Sequence, residues 1–162
     1  LHDIIIRNGT IYDGSGQPPY VGDLAIDGQL IAELDKTISK SGKIEVDADG
    51  LAVAPGFINM LSWANESLII DGRSQSDIRQ GVTLEVMGEG SSMGPWNEYL
   101  KKDRLARQGD IKYDITWSKL SEYLQFLVKR GISCNVASFV GATTIRRHVI
   151  GDQDRQPNKS EL

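Results

Sequence analysis

Ala52-Val53-Ala54-Pro55-Gly56-Phe57-Ile58-Asn59-Met60-Leu61 is the stretch on which the reading of the fold turns. Before Pro55-Gly56, apolar residues come in short runs separated by turn residues. After it, Phe57 to Leu61 is a nearly continuous apolar run, which suits a strand covered on both faces. Pro-Gly punctuates the chain there. Residues 1–54 therefore read as all-β, and residues 55–162 as alternating strand and helix.

Upstream, Asp3-Ile4-Ile5-Ile6-Arg7 is a short apolar run, with Asn8-Gly9 as the turn signal that stops it. Thr10-Ile11-Tyr12 follows, then a loop by composition, Asp13 to Pro19. Asp23-Leu24-Ala25-Ile26 alternates, Asp27-Gly28 marks a two-residue hairpin, and Leu30 to Leu34 returns. Lys43-Ile44-Glu45-Val46-Asp47 alternates as a strand with one buried face. Asp49-Gly50 turns into Leu51-Ala52-Val53-Ala54. Such short strands between turns predict a small sandwich or barrel.

Downstream, the polar stretch Asp71–Gln80 fits a short helix, ended by Gly81, and Val82–Met87 is a strand. Gly88 to Pro95 must be a loop. Trp117, Leu120, Tyr123, Leu124, Leu127 and Val128 repeat at helical spacing, with Thr116 placed to cap and Gly131 to end. Ile132–Val140 reads as a third strand and Thr143–Ile150 as a short helix. Strand and helix in alternation imply parallel pairing through right-handed crossovers. Arg155–Leu162 reads as a loop with a helix start at Ser160, so the second half is expected to be an open segment completed by further chain.

The 162 residues allow one domain or two small ones. A net charge of −4, from 18 basic and 22 acidic residues, argues against a nucleic-acid binder, which needs a concentrated basic face. No apolar run approaches the roughly 18 residues of a membrane span. The expected location is cytoplasmic, or exported if a leader precedes Leu1. Cys134, the one cysteine, has no partner for a disulfide and sits in an apolar strand-like context, where burial disfavours the thiolate. His2 and His148 lie at opposite ends, and neither H-x-H nor H-E-x-x-H occurs. Gly90-Ser91-Ser92-Met93-Gly94 formally matches the nucleophile elbow, yet Pro95 and the preceding Gly88-Glu89-Gly90 spoil the strand and helix that an elbow requires.

Asp3-Ile4-Ile5-Ile6-Arg7-Asn8-Gly9-Thr10-Ile11-Tyr12-Asp13-Gly14-Ser15-Gly16 and Ala52-Val53-Ala54-Pro55-Gly56-Phe57-Ile58-Asn59 resemble the opening and the barrel entry of amidohydrolase-superfamily enzymes. Gln17-Pro18-Pro19-Tyr20, Gly81-Val82-Thr83, Gly88-Glu89-Gly90 with Pro95, and Asn135-Val136-Ala137-Ser138-Phe139-Val140-Gly141 are most similar to the D-aminoacylases, or N-acyl-D-amino-acid deacylases. Thr144-Ile145-Arg146 and Val149-Ile150-Gly151 with Arg155 extend the likeness to the end. It covers the N-terminal third of a family member. The resemblance implies an α/β protein: a β-sandwich segment, residues 1–54, followed by residues 55–162 as the first strands and helices of a (β/α)8 TIM-like barrel. It implies hydrolysis of the N-acyl amide of a D-amino acid by the intact protein, a small-molecule substrate, and one divalent metal, zinc in the first place. In such enzymes a metal-bound water attacks, and the catalytic base lies beyond Leu162. This chain alone is expected to be inactive and to need the missing C-terminal segment as its partner.

The departures from the family pattern decide the site residues. Where the pattern has H-x-H, this chain has Leu61 and Trp63, neither of which can bind zinc. The metal-ligating Cys of the pattern falls at Gly88-Glu89-Gly90-Ser91, so Glu89, beside or at that position, is the candidate metal ligand; its bland reading is a solvated loop residue. The His that often follows Gly near the third strand is Ala142. Trp63 and Leu61 form either an apolar floor for an acyl group or core. Arg146 is a candidate carboxylate fork or a surface or helix-cap arginine, and Glu85 a partner for a base, a residue exposed at a cut edge or a structural residue. The alternative function is a non-catalytic amidohydrolase relative serving binding or assembly.

Overall fold

The computed structural model describes residues 1–162, which divide into two compact units, Leu1–Pro55 and Gly56–Leu162. In the first, β1 (His2–Ile11), β2 (Tyr20–Asp27), β3 (Leu30–Asp35), β4 (Gly42–Asp47) and β5 (Ala52–Val53) form one mixed sheet of order β3-β2-β1-β4, with β5 beside the far end of β1. β1 is antiparallel to β2 and parallel to β4 and β5. Asn8-Gly9 does not end the first strand. Asn8 takes φ 59° inside β1, and the register with β2 shifts between Ile6 and Gly9. This is a bulge at a residue that tolerates the left-handed region. Asp23 accepts from the Asn8 N–H at 3.0 Å, and the Asn8 side-chain amide donates to Asp47 at 3.1 Å, so two neighbouring strands hold the bulge in place.

One face of this sheet carries the buried residues Ile5, Ala25 and Ile38. On the other, Ile4 opposes Ile26 and Ile44, and Ile6 opposes Leu24 and Val46. Ile44 and Val46 are exposed, although alternation predicted a buried face for them. Residues 1–55 supply a single sheet, with no second layer to cover that side. Asp23 is buried; burial pushes its carboxyl up, but N–H bonds from Ile38 and Asn8 and the Arg7 guanidinium more than offset this and hold it below its ordinary value.

The second unit runs β6 (Phe57–Asn59), α1 (Ser67–Ile70), α2 (Gln75–Ile78), β7 (Val82–Met87), α3 (Glu98–Ala106), α4 (Leu120–Arg130), β8 (Asn135–Ser138) and α5 (Ala142–Ile150). Its sheet, β6-β7-β8, is parallel throughout. The chain is thus α/β with mixed pairing in one sheet and parallel pairing in the other. The helix expected over Asp71–Gln80 is only the single turn α2, because Ser74 enters it with φ 44°. Trp117 precedes α4 instead of lying in it: Glu122 accepts from the N–H groups of Ser118 and Lys119 at 2.8 and 2.9 Å and so fixes the helix start after Trp117. Gly131, at φ 81°, ends α4. Trp117 instead plugs the core, 5.3 Å from both Tyr123 and Phe126 and 6.1 Å from Trp96 between ring centroids. Leu68, Met87 and Leu127 complete that core. Phe57 and Ile58 are exposed, so β6 is not covered on both faces within this unit. No helix is long and apolar enough to cross a membrane.

Candidate active site

Because β6, β7 and β8 are parallel, the loops after them all leave from one edge of the sheet, where α/β barrels place their chemistry. Ser62, in the first loop, donates its N–H to the Val86 carbonyl at 2.9 Å, and its hydroxyl donates to Glu85 Oε2 at 2.6 Å. Glu85 is fully buried on β7. Its other oxygen accepts from Ser74 Oγ at 2.5 Å and from the Cys134 thiol at 3.0 Å. Burial, reinforced by this carboxylate, pushes the Cys134 thiol up to about 11. Glu85 and Cys134 are therefore structural neighbours in the helix-side core.

The second loop is locked to the third. Gly141 lies so close that an added Cβ would sit 2.5 Å from the Gly90 carbonyl oxygen. Thr143 donates its N–H to that same oxygen at 2.9 Å, and the Ser92 N–H donates to Thr144 Oγ1 at 2.8 Å. The Ser92 hydroxyl is buried, donates to the Gly94 carbonyl at 2.6 Å and accepts from the Gly141 N–H at 3.0 Å. Both its roles are spent on backbone, so it is a loop tie and not a nucleophile poised by a base.

Between the first two loops, α3 and the start of α5 lies a cavity of about 430 Å³. Met93, Trp96 and Leu100 give it an apolar lining, and Ser91 and Thr143 add hydroxyls. Arg104, Arg107 and Arg147, with Glu66 and Asp103, complete the lining. Arg147 bonds Asp103 at 2.9 Å and also Asp152; these bonds raise its guanidinium and hold Asp103 below the ordinary carboxylate value. Arg104 bonds Glu66 at 2.5 Å. Arg107, 70% exposed, shares Asp103 at 2.7 Å and is the freest of the three.

Trp63, 69% exposed, lines this cavity. Leu61 beside it is exposed. Arg146 is elsewhere: its guanidinium donates to the carbonyls of Gln153 and Arg155, both at 2.9 Å, while its neighbour Arg147 reaches the cavity. Glu89 is exposed on its loop and is not among the cavity-lining residues. No cluster of three or more His, Cys, Asp or Glu side chains in the chain could hold a metal ion. Sequence reasoning missed Arg107 and Arg147; only the placement of α3 against α5 marks them out.

No family model matches the chain. D-aminoacylase of Alcaligenes xylosoxydans xylosoxydans is 30% identical over 164 residues, which cover 99% of this chain and 33% of that protein. A crystal structure of D-aminoacylase, described as defining a novel subset of amidohydrolases, superposes with a TM-score of 0.82 at 29% identity over 99% of this chain and 34% of that one. N-acyl-D-glutamate deacylase from Bordetella bronchiseptica, solved with zinc and a phosphonate mimic of the tetrahedral intermediate, superposes with a TM-score of 0.81 at 26% identity, with the same two coverages of 99% and 34%. The chain spans about a third of the length of these proteins.

Proposed function

Because the chain belongs to the D-aminoacylase family of amidohydrolases, we propose that the intact protein hydrolyses the N-acyl amide of a D-amino acid. The observation that carries this reading is the cavity at the C-terminal ends of the parallel strands, which joins an apolar lining to an arginine wall. An N-acyl amino acid has the same two parts. Trp63 and Trp96 would receive the acyl group, and Arg107 and Arg147 the carboxylate, for which a guanidinium is the natural fork. Arg146, spent on two carbonyls, would support the turn after α5. In the intact protein, residues 1–54 would be a segment of a β-sandwich, whose second layer would cover Ile44 and Val46. Residues 55–162 would open a (β/α)8 barrel.

The residues of this chain do not make a metal site. Leu61 and Trp63 carry no ligating atom where a first-strand pair would stand, and no ligand cluster exists. Glu89 is the one carboxylate on the loops after β7 and β8. We propose it as this chain's single contribution to a metal, zinc by analogy with the B. bronchiseptica enzyme, whose other ligands would come from outside residues 1–162. Residues 1–162 alone would then be inactive. The replacement of both first-strand ligands by Leu61 and Trp63 favours a second reading, a non-catalytic relative that binds without turnover. Metal content and amino-group release from N-acetyl-D-amino acids, measured on the full-length protein, separate the two. About one metal per chain with turnover of D but not L substrates supports the hydrolase. Neither metal nor turnover supports the relative.

A further inference from the structure

Glu85 is an anomaly in its place. It is a carboxylate with 0% exposure, on the central strand of its sheet. Such groups are tolerated when hydrogen bonds satisfy them. Here all the donors are neutral and come from three separate segments: Ser62 at 2.6 Å, Ser74 at 2.5 Å and Cys134 at 3.0 Å. Ser62 is the informative one. It is the middle residue of Leu61-Ser62-Trp63. Its hydroxyl, while donating to Glu85, also accepts from the Ala64 N–H at 3.2 Å, and its own N–H is held by the Val86 carbonyl at 2.9 Å. With Ser62 pinned through main chain and side chain towards β7, the indole that follows it is presented to the cavity.

We propose that Glu85 is a positioning residue: acting through Ser62, it fixes the loop that presents Trp63 to the cavity and thereby sets the site's preference for the apolar part of its ligand. The ligand half of this inference rests on the deacylase reading; the Trp63 half does not. Burial alone does not require a carboxylate at position 85, because a fully buried site accepts an apolar residue at lower desolvation cost. What the side chain adds is an acceptor, 2.6 Å away, that fixes the direction of the Ser62 hydroxyl.

The test uses the full-length protein labelled with 5-fluorotryptophan, in which the fluorine resonances of Trp63, Trp96 and Trp117 are each assigned by a single Trp→Phe variant and those of the buried Trp96 and Trp117 serve as internal controls. Glu85→Val removes the acceptor and Glu85→Gln keeps one. The expected result for Glu85→Val is a displaced or broadened Trp63 resonance with the two buried tryptophans unmoved. KM for an N-octanoyl-D-amino acid should rise about five- to tenfold, KM for the N-formyl analogue should stay within about twofold, and kcat should hold, the pattern of lost ground-state binding. Glu85→Gln should restore both readouts. If Glu85→Val does not fold, Ser62→Ala, which deletes only the bond, is read in the same way. An unmoved Trp63 resonance overturns the inference. So does displacement of all three resonances together, or an equal rise in KM for both substrates, because either marks a general loosening. If the parent hydrolyses neither substrate, the deacylase reading fails, and the Trp63 resonance by itself decides the role of Glu85.

Discussion

Gly88→Ala is the substitution whose cost can be worked most directly. Gly88 closes β7 at φ +89°, and a Cβ there would lie 2.3 Å from the Phe139 carbonyl oxygen and 2.6 Å from Ser138 Oγ. Two costs add. The left-handed backbone charges an L residue roughly 1–2 kcal/mol. The clash is with backbone, so it is relieved only if the ends of β7 and β8 part, which threatens the 2.9 Å bond from the Phe139 N–H to the Met87 carbonyl; a lost backbone bond costs roughly 1 kcal/mol. The expected loss is about 2–3 kcal/mol, a large share of the roughly 5–15 kcal/mol of a typical domain. Gly90→Ala is the matched control: its φ is +69°, but an added Cβ meets nothing within 4 Å, so only the backbone cost of roughly 1–2 kcal/mol applies. Equilibrium urea unfolding of the full-length protein, compared at constant m, reads both. A Gly88→Ala loss no larger than that of Gly90→Ala would refute the claimed approach of the β7 and β8 ends.

Cys134 should resist aromatic disulfide reagents at pH 8 in the folded chain, where about a thousandth is thiolate, and react promptly in urea. Its thiol ionises higher when folded, near 11 against an ordinary 9.0, so its contribution is complete below pH 9 and is lost as pH rises toward 11, roughly 2–3 kcal/mol in all; an urea midpoint that does not fall across that window contradicts this. Glu89→Gln in the full-length protein should weaken metal binding at least about tenfold, about 1.4 kcal/mol, and abolish turnover without unfolding; parental metal content and activity would make Glu89 a loop residue only. Arg147→Ala should raise KM for an N-acyl-D-amino acid about tenfold or more, whereas Arg146→Ala should leave it within about twofold and act on stability alone; equal KM effects would dissolve the distinction between the two arginines.

Local chemistry in the sequence reached the strands and helices wherever one signal had one interpretation. Asp27-Gly28 turns β2 into β3 because Gly28, at φ +59°, takes the conformation that its neighbours resist. Asn8-Gly9 carries an equally strong signal but forms a bulge, because β2 and β4 flank β1 and hold it extended, a tertiary fact invisible in five residues of pattern. α3 escaped notice because Leu100 is its one buried residue, which leaves almost no periodicity to read. Trp117 fits the helical spacing, yet Glu122 captures the N–H groups that precede Leu120 and leaves the indole outside the helix. Trp63, singled out through resemblance, lines the cavity. Arg146 and Arg147 are adjacent in sequence and alike in chemistry, and only the position of Asp103 on α3 distinguishes them.

The central place of β1 sets a timetable for synthesis. It leaves the ribosome first among the five strands of its sheet, yet it is the strand that all but β3 must pair with. β2 arrives soon afterwards and can form a ribbon with it. β4, the partner of its other edge, follows about forty residues after Ile5, which at roughly 5–20 residues per second is a wait of about 2–8 s. Throughout that interval Ile4, Ile5 and Ile6 present an open strand edge in the nascent chain. A pause in synthesis after β1 has emerged and before β4 has would prolong the wait, so translation speed over that interval governs how long the chain offers chaperones, or another nascent copy, a strand to pair with.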